Sequence, residues 1–360
     1  MAIAIESPIA GISTTAEPSV ASLRAPELLV AQRYIADATH LIAHARDRVY
    51  LMALTIADGK ETDRLIDALV TAAARGVEVH VAADVFTYAD AAGAFLPKRY
   101  QSKRRRASSG LAQRVTASGA TFTWLGSERG LIFRGRTHTK FCVVDYVAYS
   151  FGGVNLDDQG ATNVDYMLKV ADARLADALV AVYRRVKHMN GLERGHRSKA
   201  LTFGKDQVLV DGGLVGDSII YRRALKYARK AQRVLLISQY CPTGELGAVI
   251  KSKPHELYFN PPANASFLNH VLIRTSMVVN RTATKYRKKQ YLHAKCIVFY
   301  LKNGKRVAIT GSHNFVYGGV MLGTREIALQ TKNPDVIDQI EDFFATQVAE
   351  PGSAARAEAG

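Results

Sequence analysis

His138 and Lys140 stand two residues apart in RTHTKFCVVD (136–145), and His293 and Lys295 repeat that spacing in YLHAKCIVF (291–299). Each pair leads into a short apolar run, Phe141, Cys142, Val143, Val144 in one copy and Cys296, Ile297, Val298, Phe299 in the other. Such runs read as buried strands. On an extended chain residues i and i+2 project to the same side, so each copy sets an imidazole beside an ammonium. Two such pairs brought together suit attack on a phosphodiester. The lysines would hold the non-bridging oxygens as charge builds in the transition state. One neutral imidazole would attack phosphorus and form a covalent phosphohistidine. The other, protonated, would hand its proton to the leaving alkoxide and then deprotonate the incoming water or alcohol. This chemistry requires no metal or other cofactor, and an ammonium beside each imidazole disfavours a bound cation by like-charge repulsion.

More of the sequence repeats around the two pairs. SFGGVNLDD follows the first, with Gly152, Gly153 and Asn155, and ITGSHNF follows the second, with Gly311, Ser312 and Asn314. Each half then offers a carboxylate before an apolar stretch, Asp165 in NVDYMLKV and Glu326 in TREIALQ. An ordered set of features occurring twice is an internal repeat. The second copy is longer around LKNGKR, where Asn303-Gly304 signals a hairpin turn. We expect Asp165 and Glu326 to stand behind the imidazoles and fix tautomer and orientation. Asn155, Asn314 and Ser312 are candidate hydrogen-bonding partners of the phosphate oxygens.

These residues need a scaffold, and the surrounding sequence describes one. LLVAQRYIADATHLIAHA and SIIYRRALKYA carry apolar residues at helical spacing, and each precedes a strand-like run, RVYLMALTI and RVLLISQY. ETDRLIDALVTAAARGVEVHVAADV reads as a helix stopped by Gly76 and then an alternating strand. Helix and strand alternate through both halves, which points to an α/β fold. Residues 1–25 and 350–360 read as tails, with one half over 26–200 and the other over 201–349. The first half is longer, and we place its insertion between Asp84 and about Arg114.

With 48% hydrophobic residues the chain can build a substantial core. No apolar stretch approaches the roughly 18–20 residues that span a bilayer, and the N-terminus lacks the basic region of a signal peptide. The three cysteines form no disulfide or metal pattern; Cys142 and Cys296 read as small core residues. A cytoplasmic location is expected, at a membrane surface if the substrate is lipid. The formal charge of +16 favours an anionic partner, either a phospholipid surface or nucleic acid, and no obligate protein partner is readable. Two basic runs stand out for that contact: KRYQSKRRR (98–106), within the extra sequence of the first half, and KYRKK (285–289), just before the second His-x-Lys. AAGAFLP (91–97) is a candidate interfacial insertion on the lipid reading, and Trp124, Tyr286 and Tyr291 are candidate base-stacking rings on the nuclease reading.

His138-x-Lys140-x4-Asp145 with Gly-Gly-x-Asn at 152–155, and His293-x-Lys295 with Gly-Ser-x-Asn at 311–314, resemble the duplicated signature of the phospholipase D superfamily. The members most similar are the bacterial cardiolipin synthase and phosphatidylserine synthase-like proteins. The resemblance implies two related α/β sandwich halves packed about a pseudo-twofold axis, with the active site at their interface. It also implies that His138 is the nucleophile and His293 the general acid, and it gives Asp145 a structural task. Three positions depart from the pattern: Tyr300 replaces the second Asp, Gly153 replaces a Ser, and Asp165 is one methylene shorter than Glu. We expect Tyr300→Asp to be tolerated. Three functions stay open: a phosphatidyltransferase or phosphodiesterase acting on phospholipid, an endonuclease acting on DNA or RNA, and a degenerate binder of anionic surfaces.

Overall fold

A computed structural model describes residues 22–88, 103–127, 135–192 and 194–350. In the first half the elements are β1 (Glu27–Val30), α1 (Ala31–Ala43), β2 (Arg48–Ala53), α2 (Asp63–Ala74), β3 (Glu78–Asp84) and α3 (Lys103–Ala117). They continue as β4 (Thr121–Leu125), β5 (Phe141–Val144), β6 (Val147–Ser150), α4 (Asp158–Thr162), β7 (Tyr166–Ala171) and α5 (Ala173–Gly191). The second half opens with β8 (Lys199–Phe203), β9 (Asp206–Gly212), α6 (Ile219–Lys230), β10 (Arg233–Ile237), α7 (Gly244–Lys251) and β11 (His255–Tyr258). It ends with α8 (Phe267–Asn280), β12 (Cys296–Tyr300), β13 (Arg306–Gly311), α9 (Tyr317–Leu322), β14 (Arg325–Thr331) and α10 (Pro334–Phe343).

Two seven-stranded sheets result, ordered β1-β7-β6-β5-β2-β3-β4 and β11-β10-β12-β13-β14-β9-β8. Reversing the second order sets β9, β14, β13, β12, β10 and β11 on β1, β7, β6, β5, β2 and β3. This is the α/β architecture of two related halves expected from the repeat. What differs is one added strand on each side, β4 in the first sheet and β8 at the opposite edge of the second. Between β3 and β5 the first half has α3 and β4 where the second half has α8 alone between β11 and β12, so the added element is the edge strand β4, and the extra sequence extends past Arg114 to Leu125. The basic residues 103–106 open α3, and the Arg105 guanidinium lies 5.1 Å over the Tyr88 ring. Residues 98–102 and AAGAFLP lie outside the described residues.

Both sheets are covered on both faces, which is why their strands read as unbroken apolar runs. Phe141 and Val143 face a core shared by the two sheets, while Cys142 and Val144 face the outer layer of the first half. Cys296 and Val298 face the shared core, and Ile297 and Phe299 the outer layer of the second half. Helices α5 and α10 add Leu179, Val186, Ile340 and Phe343 to the shared core. Burial pushes the Cys142 and Cys296 thiols up to about 12, as suits inert core residues. Leu28, Leu29 and Val30, read as helical from their spacing, form β1 and pair with Leu168, Met167 and Tyr166. Three adjacent apolar residues satisfy either period, and the β7 ladder decides between them. Among the described residues no helix is long and apolar enough to cross a membrane.

Asp145 lies at the far end of β5 from His138, about 23 Å away along an extended chain. Its carboxylate accepts the N–H groups of Arg46, Asp47 and Arg48 at 3.1, 2.9 and 3.1 Å and ties the turn before β2 to the β5–β6 turn. Tyr300, at the end of β12, does something different. Its hydroxyl donates to Glu341 of α10 at 2.7 Å, and the Arg233 guanidinium sits 3.8 Å from its ring centroid. The ring also packs against the shared core. Tyr300→Asp would delete this packing and set a carboxylate toward Glu341, so we now expect it to cost about 1–3 kcal/mol. Tyr300→Phe should cost less. An unchanged melting temperature for Tyr300→Asp would refute the packing role.

Candidate active site

The two sheets are stitched at the ends of inner strands by a reciprocal pair of contacts. Thr137, one residue before His138, bridges Arg325, one residue before Glu326; Val164, before Asp165, bridges Leu292, before His293. The N–H groups of His138 and Thr139 donate to the Arg325 carbonyl at 2.8 and 3.0 Å. Those of His293 and Ala294 donate to the Val164 carbonyl, both at 3.0 Å. Each His-x-Lys segment is thus held by backbone bonds to the other half, just outside its own ladder. Lys140 and Lys295 each turn back to donate to the carbonyl of the His two residues earlier.

The carboxylates therefore cross over. Asp165 of the first half meets His293 of the second, Oδ2 to Nδ1 at 2.7 Å. Glu326 of the second half meets His138 of the first at 3.4 Å, a close approach that stops short of a hydrogen bond. Asp165 is fixed by the N–H groups of Tyr166 (2.8 Å) and Gly153 (3.2 Å), and Glu326 by the Ser312 hydroxyl. Ser312 thus contacts the carboxylate, where the sequence suggested a phosphate oxygen. Gly153 is matched to the shorter Asp165: a Cβ there would sit 2.6 Å from Asp165 Oδ2 and 2.8 Å from Lys295 Nζ.

Burial sets the charges. Lys140 and Lys295 are 2% and 1% exposed, and desolvation lowers both ammoniums, Lys295 to about 7, against the attraction of Asp165 and Glu326. Burial and then the neighbouring lysine drive both imidazoles to the neutral form, His138 well below its usual value and His293 to about 4. Burial alone would raise Asp165, but the His293 hydrogen bond and the charges of His293 and Lys295 hold it below the usual carboxylate range. Burial raises Glu326 to about 7, with Lys140 and the Ser312 hydroxyl opposing and Asp211 adding to the rise. The His293 side therefore holds an ionised carboxylate on a fixed ring. The His138 side holds a looser, more exposed ring, whose side chain is 24% exposed against 8% for His293.

All six expected catalytic groups converge here. Asn155 and Asn314 follow in the same loops, each with a buried Oδ1 that has no partner. Sequence reasoning passed over three supports. Asp84, at the end of β3, accepts from Arg136 Nη1 at 2.8 Å and from the Thr137 N–H at 2.7 Å and so positions the first His-x-Lys segment. Arg325 reaches back to the Gly135 and Arg194 carbonyls at 2.9 and 3.0 Å. His313, the middle residue of GSHNF, is a third buried imidazole, lowered by burial to about 4. The Phe315 N–H donates to its Nδ1 at 2.8 Å, which leaves the proton on Nε2. Only His313 carried a signal in the sequence, a titratable residue inside the motif. Of the candidate stacking rings, Tyr286 is fully buried and unavailable to a base, Trp124 packs on Phe122 and Tyr88, and Tyr291 stacks 6.4 Å from His293.

Comparison with known proteins agrees with this architecture. Residues 38–187 match the model of the family described as cardiolipin synthase, PLD-like domain. The phosphatidylserine synthase of Haemophilus influenzae Rd KW20 is similar in structure, with a TM-score of 0.64 at 13% identity over 90% of this chain and 86% of that one. The polyphosphate kinase of Porphyromonas gingivalis matches with a TM-score of 0.55 at 14% identity, over 88% of this chain and 49% of its own length. At these identities the likeness speaks for the fold. No curated protein sequence matches the chain. The matched stretch is similar to a phospholipase D-like domain, and the resemblance read from the motifs is borne out.

Gly153→Ser should break the Asp165–His293 contact and lower turnover at least tenfold, since a polar side chain is forced against a buried pair. Gly153→Ser/Asp165→Glu, which copies the Ser312–Glu326 arrangement, should recover part of the loss. A fully active single variant would refute the matching. A second expectation concerns pH. His138, His293 and His313 have folded values below the unfolded value of about 6.5, so each stabilises the fold above 6.5 and loses that effect as pH falls toward 4. Glu326 acts oppositely, stabilising below about 4.5 and fading as pH rises to about 7. Asp211, raised by burial to about 6, acts as Glu326 does, and His196, lowered by burial, acts as the three histidines do. The histidines lower the melting temperature as pH falls from 6.5 to 4.5, and His313→Gln should remove one of these contributions and reduce that slope. An identical slope in the variant would show that His313 is not held neutral.

Proposed function

We propose that the protein is a phosphodiesterase or phosphatidyltransferase that cleaves a phospholipid through a covalent phosphohistidine. The observation that carries this reading is the convergence of two neutral imidazoles and two buried ammoniums, each ring backed by a carboxylate from the opposite half. His138 is assigned as nucleophile because its side chain is the more exposed of the two. With Nδ1–H directed to Glu326, its Nε2 lone pair attacks phosphorus, a P–N bond forms and the bond to the leaving alcohol breaks. His293, on Asp165, protonates that alcohol. Burial and the neighbouring Lys295 hold His293 neutral, and the negative charge of an arriving phosphodiester favours the imidazolium it needs. Neutral again, His293 takes the proton of water or an acceptor alcohol as that oxygen displaces His138 from phosphorus. Lys140 and Lys295 swing from the backbone carbonyls to the non-bridging oxygens, and the Asn155 and Asn314 amides complete the cradle.

Phospholipid is preferred over nucleic acid for two reasons. The matched family model is described as a cardiolipin synthase domain, and of the three aromatic residues first considered for stacking, Tyr286 is wholly buried. The test is intact-protein mass spectrometry at neutral or alkaline pH, since phosphohistidine is acid-labile. His293→Ala is mixed in parallel with phosphatidylglycerol vesicles and with single-stranded DNA. A phosphatidyl-sized adduct, absent from His138→Ala/His293→Ala, is the expected result, together with a loss of turnover by several orders of magnitude in each single variant. A nucleotidyl adduct, or DNA cleavage without a lipid adduct, would replace the lipid reading with the nuclease. Full turnover in His138→Ala would overturn the assigned nucleophile.

A further inference from the structure

Helix α8 follows β11 at the sheet edge where the second His-x-Lys segment enters, since β11 runs parallel to β10 and the end of β10 pairs with the start of β12. It packs inward through Ile273 and Met277 on the outer core of the second half. Its other side is bare among the described residues: Val271, Leu272, Val278 and Val279 are 45, 52, 69 and 75% exposed. At 3.6 residues per turn these four and Thr275 fall within a sector of roughly 120°. Exposed Arg274 and Arg281 border that sector, and exposed Lys285, Arg287 and Lys289 follow on the way to His293. No Asp or Glu occurs between Glu256 and Glu326.

A hydrogen-bonded chain joins this helix to the site. Asn269 of α8 accepts from the Tyr240 hydroxyl at 2.9 Å, and Gln239 donates to the Tyr240 and Tyr291 hydroxyls at 3.0 and 2.9 Å. The Tyr291 ring stacks on His293. An apolar stripe edged by cations and free of acidic groups is the pattern of a helix lying in the plane of an anionic bilayer. Nucleic acid has no use for four bare aliphatic side chains, and a second copy would bring the same positive charge against it.

We infer that α8 is a docking helix for an anionic phospholipid surface and sets the His293 side of the site at headgroup depth. The inference rests on the lipid reading for its purpose, while its test does not depend on catalysis. The full chain is sedimented with vesicles of phosphatidylcholine alone and of phosphatidylcholine with phosphatidylglycerol. Wild type should bind the anionic vesicles, and Val278→Ser/Val279→Ser should bind them at least tenfold more weakly. Turnover of a soluble monomeric diester, bis(4-nitrophenyl) phosphate, should be unchanged in that variant. In Val279→Trp, the indole emission should shift to shorter wavelength and be quenched by brominated lipid. Absence of wild-type binding, equal binding to neutral vesicles, or undiminished binding by the double variant would overturn the inference. So would conversion of a dimer to a monomer by the Ser substitutions, or a Val279→Trp indole already buried in buffer, which would assign the face to a second copy or to another segment of this chain. If wild type fails to cleave the diester while vesicle binding follows α8, the catalytic reading falls and the docking surface stands.

Discussion

Four charged groups, Lys140, Lys295, Asp165 and Glu326, are buried where the two sheets abut, and neither half can hold its own pair alone. An unpaired ammonium in such a place costs several kcal/mol, and removing one partner of a buried pair costs about 3–5 kcal/mol. The fold meets this constraint by exchange. Asp165 reaches His293 and Lys295, Glu326 reaches His138 and lies near Lys140, and the backbone bridges at Thr137–Arg325 and Val164–Leu292 hold the exchange in register. Separation of the halves would break both carboxylate–imidazole contacts and open the four groups to water. Stability and the chemical constellation therefore share one interface.

The exchange is symmetric in backbone and asymmetric in side chains. On one side a short carboxylate, a glycine and a tight contact hold His293; on the other a longer carboxylate, a serine and a looser contact sit behind His138. On the proposed mechanism, the first arrangement suits an acid that keeps its orientation while gaining and losing a proton, and the second suits a nucleophile that moves toward phosphorus. The departures from the superfamily pattern at Gly153 and Asp165 compensate one another, because the space a serine would take is filled by Asp165 and Lys295. They read as a matched pair.

Features away from the centre serve its placement. Asp145 gathers three amides at the opposite end of β5, and Tyr300 ties β12 to α10 by a different contact at the equivalent place. Both anchor the far end of the strand that follows a His-x-Lys segment. Asp84 and Arg136 anchor the near end of the first. Net positive charge, unbalanced over the stretch between Glu256 and Glu326 that has no acidic residue, favours an anionic partner.

Much of this was legible in the chain itself. A repeat of His-x-Lys, Gly-x-x-Asn and a later carboxylate is a one-dimensional pattern, and apolar runs of strand length mark sheets buried on both faces. Those features settled the α/β class and the duplication and pointed to the residues that meet between the halves. The sequence placed β1 in a helix because three adjacent apolar residues fit either period, and it passed over Asp84 and Arg325 because their partners lie far along the chain. Which carboxylate serves which imidazole was decided only by the packing of the halves, since nearness in sequence pairs each within its own half while the ladders pair them across. The bare face of α8 is equally a tertiary fact. Its valines look like any core residues in the sequence, and only the direction in which Ile273 and Met277 pack leaves them facing outward.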